Sequence, residues 1–116
     1  MDTGKEIVNS TLELAKADGW ENVSIRKIAK MIGFSTMKIY SDFGSKEKLF
    51  FEIQKIGFKL LKDTYADSIK NMDDPKLKLE RIFLSHVKFA RIYPVHYELI
   101  FNHKFRKYEI EVIENK

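Results

Sequence analysis

SIRKIAKMIGFSTMKIYSDFGSKEKLF, residues 24–50, holds two short helical patterns separated by a glycine, followed by the start of a longer one. Ile25, Ile28, Ala29 and Ile32 recur at helical spacing, so one face of the first pattern is apolar. Gly33 follows Ala29 by four residues; a small residue there allows close helix approach, and glycine can take the positive φ that a turn needs. Ser35 offers an N-cap for the second pattern, where Ile39 faces inward while Thr36, Met37, Lys38 and Tyr40 face out. A helix this short does not persist alone. Held by a bihelical core, it suits a reading head in a DNA major groove. An ordinary αα-corner wants the same Gly and Ser. The paired Ala and Gly, the capped short helix and the flanking lysines favour DNA binding.

Outward from this stretch the chain reads as all-α. After Phe43 and Gly44, Ser45 caps a long fourth helix with Leu49, Phe50, Ile53, Ile56, Leu60 and Leu61 at helical spacing. Gly57 inside it costs about 1 kcal/mol relative to alanine. It marks either a close helix crossing or a compliant point, and the residues alone leave both open. Toward the N-terminus, Thr3 and Glu6 form a capping box. The first helix then buries Ile7, Val8, Thr11, Leu12, Leu14 and Ala15 and stops at Gly19, with Trp20 packed over the corner as core. Asp73-Asp74-Pro75 is a break and restart, Asp74 as N-cap and Pro75 at the first helical position. The fifth helix runs to about Tyr93 with Leu79, Ile82, Phe83, His86, Phe89 and Ala90 inward. Pro94 opens a sixth, striped by Tyr97, Ile100, Phe101 and Phe105.

A chain of 116 residues, 44% hydrophobic and 33% charged, has the composition of a globular protein. It has no apolar run of membrane-span length and no secretory leader, and zero cysteines exclude disulfides and thiolate metal sites, which fits a cytoplasmic protein. The net charge of +4 is not an argument for DNA by itself: residues 1–52 hold eight basic and eight acidic side chains. Locally, Arg26, Lys27, Lys30, Lys38, Lys46 and Lys48 face only Asp42 and Glu47. Phosphate attraction decays over about 8 Å at physiological salt, so the local balance decides. His86, His96 and His103 lack the spacing of a metal site, and no nucleotide or nucleophile motif is present. Neither an enzyme nor a bound metal or cofactor is expected.

From Ile7 to Phe50 the sequence resembles the N-terminal domain of the TetR/AcrR family of bacterial transcriptional regulators. The resemblance rests on Ala17-Asp18-Gly19-Trp20, Val23-Ser24-Ile25-Arg26-Lys27-Ile28-Ala29, Gly33-Phe34-Ser35, Ile39-Tyr40 with Phe43, and Gly44-Ser45-Lys46-Glu47-Lys48-Leu49-Phe50, in order and without gaps. It continues weakly in the long connecting helix and in Phe89-Ala90-Arg91-Ile92-Tyr93-Pro94. It implies a three-helix bundle with a helix-turn-helix over residues 1–50, then a connecting helix and part of a helical ligand-sensing and dimerisation domain over 51–116. Family members are usually dimers that read a palindromic operator, here through helix 35–41, and release it when a small-molecule effector binds.

On this reading the DNA contacts are Ser24, Arg26 and Lys27 at the start of the second helix, and Ser35, Thr36, Met37, Lys38 and Tyr40 on the third. By resemblance Tyr40 reaches the DNA backbone and Lys46 clamps a phosphate. The weakest candidates are effector contacts at His86, Phe89, Tyr97 and Phe101. Ser41-Asp42 stands where the family often has Tyr-His, and a carboxylate near phosphate repels unless a cation neutralises it. The family continues through further helices, so the fifth and sixth are expected to expose apolar surface. The rival reading is a truncated helical protein-interaction module with weak or no specific DNA binding.

Overall fold

Each break in the chain is made by a residue whose chemistry belongs at a helix end. The computed structural model describes residues 2–102, which contain six α-helices, one 3-10 turn and no strand. The helices are α1 (Thr3–Asp18), α2 (Ile25–Ile32), α3 (Thr36–Phe43), α4 (Lys46–Ser68), α5 (Pro75–Ile92) and α6 (Pro94–Phe101), with the 3-10 turn at Trp20–Asn22. Ser24, Ser35 and Ser45 each accept a backbone N–H from the third residue of the helix that follows, all at 3.1 Å. Asp74 does the same job before Pro75, accepting from the Lys76 N–H at 3.0 Å.

Two helix ends differ from expectation. The cap of α1 is Asp2, whose carboxylate accepts from the Lys5 N–H at 3.2 Å, so Thr3 lies in the first turn and forms no capping box. A carboxylate caps as well as a hydroxyl and also complements the helix dipole, which favours the earlier start. At Gly33 the backbone is left-handed with φ 74°, and the Phe34 N–H closes onto the Ala29 carbonyl at 3.0 Å. A Cβ built on Gly33 meets no heavy atom within 4 Å, so the glycine serves the turn and not a close helix approach. The reading helix α3 begins after Ser35 and runs two residues past Ser41.

Two apolar cores hold the helices. The first gathers Ile7, Trp20, Ile28, Ile39, Leu49, Phe50, Ile53 and Leu99. Trp20 meets the Phe50 ring edge-on at 5.1 Å and donates its indole N–H to the Val95 carbonyl at 2.9 Å. The second core is Leu61, Phe89 and Ile100. Thus α6 reaches both, Leu99 into one and Ile100 into the other. Buried Gln54 of α4 reinforces this by donating to the Leu99 carbonyl at 3.2 Å. A Cβ on Gly57 falls 2.7 Å from Ile100 Cδ1, which identifies Gly57 as a close crossing of α4 and α6.

Burial departs from the periodic pattern in several places. Val8, Leu12 and Leu14 are half-buried, because α1 is covered on one side only. Ile56 is exposed. Leu79 and Phe83 are 71% and 68% exposed. On α5 the covered stripe is Ile82, Ser85, His86 and Phe89, so the neighbouring Leu79–Phe83–Val87 stripe faces outward. Phe101 is exposed too, and Phe105 and His103 lie outside the described residues.

Candidate nucleic-acid interface

The candidate surface is built from the starts of α2 and α3, the outer face of α3 and the start of α4. In both short helices the capping serine spends its oxygen lone pair on a backbone N–H. The hydroxyl hydrogens of Ser24 and Ser35 remain free to donate to a phosphate. The cap also leaves the first two backbone N–H groups of each helix, at Ile25 and Arg26 and at Thr36 and Met37, without an intrahelical partner. Those donors and the positive helix ends favour an anion.

On α3, Ile39 is fully buried and pins the helix, while Thr36, Met37, Lys38 and Tyr40 are exposed, Met37 at 78%. Arg26 and Lys27 are exposed on α2. Three of the expected cations are already engaged. The Lys27 ammonium turns back onto the Asn22 carbonyl at 3.0 Å. Lys46 is half-buried with its ammonium over the Phe50 ring, 5.4 Å from the centroid. Lys38 pairs with Asp42 one turn on, at 3.4 Å.

That last pair accounts for the carboxylate. Lys38 neutralises Asp42 from one side, and the Thr3 hydroxyl donates to it from the other at 3.1 Å. Thr3 therefore ties the beginning of α1 to the reading helix. No local pattern signals this contact, since the two residues are 39 apart.

The four weak effector candidates come together away from this surface. His86 Nδ1 lies 2.6 Å from the Tyr65 hydroxyl and Nε2 lies 3.2 Å from the Tyr97 hydroxyl. The Phe101 ring stands edge-on to His86 at 5.2 Å, and Phe89 approaches Tyr97 at 6.4 Å. Tyr65, which the sequence does not single out, completes the cluster. Burial pushes the Tyr65 phenol above its ordinary range, and the Tyr97 phenol adds to that. His96, at the crossing with Gly57, is held below the ordinary imidazole range by burial. No helix among the described residues is long and apolar enough to cross a membrane.

A short exposed helix, capped by serine and anchored by one buried isoleucine after a left-handed glycine turn, completes a helix-turn-helix. Residues 7–53 match the family model described as bacterial regulatory proteins, tetR family, and form an N-terminal domain of that family. No curated protein matches the chain.

Proposed function

We propose that this protein is a ligand-responsive repressor that dimerises and reads a palindromic operator in the cytoplasm. Residues 1–50 are the reading domain, and residues 51–116 the connecting helix with part of a sensing and dimerisation domain. The observation that carries the reading is α3: a capped helix whose inner residue is locked in the core while Thr36, Met37, Lys38 and Tyr40 stand in solvent. Lys38 donates to guanine O6 and N7 or to phosphate, and the methyls of Thr36 and Met37 meet thymine. Ser24, Arg26, Lys27, Ser35, Tyr40 and Lys46 position the domain on phosphates. Two such helices in a symmetric dimer sit about 34–36 Å apart, one DNA turn.

Effector control follows if a small molecule binds two dispositions of α4 unequally. The aromatic cluster of Tyr65, His86, Tyr97 and Phe101 joins α4, α5 and α6 and supports a sensing role for that region. The exposed Leu79–Phe83–Val87 stripe favours a second reading, in which the chain acts through protein contacts. Fluorescence anisotropy with the full chain, using DNA from upstream of its own gene and a scrambled control at several salt concentrations, separates them. The repressor reading expects preference for the upstream sequence and a steep loss of affinity with salt. Weak binding with neither property would refute it.

A further inference from the structure

We propose that Thr3, in the first turn of α1, is a positioning residue for sequence reading: acting through Asp42, it holds the Lys38 ammonium toward guanine and away from phosphate. This rests on the repressor reading, in which Lys38 is a DNA contact. The seat of Thr3 is fixed independently of the bond it makes. The Asp2 carboxylate caps α1 at the Lys5 N–H, which sets the first turn. A Cβ built on the neighbouring Gly4 would lie 3.9 Å from Phe43 Cζ, so this turn lies against the last residue of α3. From there the Thr3 hydroxyl donates to Asp42 Oδ2 at 3.1 Å. Asp42 Oδ1 faces the Lys38 ammonium at 3.4 Å. Each carboxylate oxygen thus has its own partner. The Asp42 side chain is 23% exposed and that of Lys38 44%, so the carboxylate is the shielded member and the ammonium the one that meets a ligand.

An ammonium has three N–H donors and no acceptor, so with one directed at Asp42 two remain. In the major groove guanine offers two acceptors, O6 and N7. Adenine offers N7 beside an amino donor, thymine offers O4 alone, and cytosine offers only an amino donor. Guanine is therefore the base that uses both remaining donors. A phosphate attracts the ammonium chiefly by charge, and the Asp42 carboxylate cancels part of that charge and repels the phosphate itself. A lysine on an exposed helix otherwise moves among many rotamers and reaches phosphate as readily as base edges. Pairing one turn along α3 restrains it only if the carboxylate is itself restrained. The Thr3 hydroxyl supplies that fixed point from a different helix. Discrimination then comes from weakening the unselective contact as well as from fitting the selective one.

The test is fluorescence anisotropy of the full chain on DNA from upstream of its own gene, on single-base variants of that DNA and on scrambled DNA. The base that Lys38 meets is the one at which Lys38→Ala abolishes discrimination. It is expected to be guanine, and 7-deazaguanine there, which lacks the N7 acceptor, should weaken the wild type. Thr3→Val removes the hydroxyl with little change of shape. It should lower the preference for guanine at that base by about two- to fivefold. Affinity for scrambled DNA should hold or rise, and Thr3→Ser should retain the preference. In the Lys38→Ala background Thr3→Val should have no effect, a coupling that a merely structural role would not show. Melting temperatures taken alongside establish that each variant is folded. The proposal is overturned if Thr3→Val leaves the guanine preference unchanged, weakens operator and scrambled DNA equally, or acts undiminished without Lys38. A base other than guanine opposite Lys38 overturns it too. A wild-type chain that binds all these DNAs alike refutes the repressor reading and this inference with it. A wild-type preference that survives Thr3→Val removes the inference alone.

Discussion

Replacing Gly57 by alanine sets two opposing effects against each other at one position. Within a helix, alanine is favoured over glycine by about 1 kcal/mol, which stabilises α4. The new Cβ, however, would lie 2.7 Å from Ile100 Cδ1 and 3.1 Å from its Cγ1, with His96 Cβ at 3.7 Å. Ile100 is 6% exposed and belongs to the second core with Leu61 and Phe89, so its side chain has little room to turn away. Overpacking of this kind costs about 1–3 kcal/mol, so the net change is a loss of up to about 2 kcal/mol. At this chain length each kcal/mol lowers the melting temperature by about 4 °C. Ile100→Val removes the clashing Cδ1 and by itself costs about 0.5–1.5 kcal/mol. In the double variant the helix gain is recovered, so Gly57→Ala becomes stabilising in the Ile100→Val background and destabilising in the native one. Urea denaturation followed by far-UV circular dichroism on the four proteins measures the coupling, expected at about 1–3 kcal/mol. If Gly57→Ala alone stabilises by its full helix-propensity gain and shows no coupling to Ile100, the close crossing is refuted.

Trp20→Phe keeps the aromatic packing on Phe50 but removes the indole donor to the Val95 carbonyl. Denaturation should show a loss of about 1–2 kcal/mol, and an unchanged midpoint would mean that bond contributes nothing net. Lys38→Ala should lower operator affinity by about 1–3 kcal/mol and alter sequence preference, read by anisotropy across operator variants. Asp42→Asn removes a repulsive charge and releases Lys38, so it should tighten binding to any DNA by about 0.3–1 kcal/mol; weaker binding would make Asp42 itself a base contact. His96 is held below its ordinary value of 6.5 by burial, so the unfolded chain takes up that proton first as pH falls. Its contribution to stability is complete above that value and declines as pH drops below it, and His96→Gln should flatten this slope in denaturation between about pH 7.5 and 5.5.

Helix ends were legible because capping is a local matter. Ser24, Ser35, Ser45 and Asp74 each bond a backbone N–H two or three residues away, and nothing distant competes. Where two caps adjoin, as at Asp2 and Thr3, the sequence pattern names the motif and not the residue that wins. Burial on α5 was not legible. Leu77, Leu79, Ile82, Phe83, Leu84 and Val87 make the helix apolar on nearly every side, and the stripe that is covered depends on how α4 and α6 lie against it. The outward set on α3 could be read from the single inward Ile39. The resting places of the Lys27 and Lys46 ammonium groups could not, since they depend on the path of the Asn22 turn and the tilt of the Phe50 ring.

The consecutive residues Leu99 and Ile100 enter different cores, and this makes α6 a staple between the two halves of the chain. A polypeptide cut after Ile53 keeps every residue of the family match, yet it loses Leu99 and Val95 from its hydrophobic interior and the acceptor for the Trp20 indole. The segment that the family match covers is therefore shorter than the segment that packs around its core. Protease cleavage or amide exchange that frees α6 from its seat should loosen the reading head along with it.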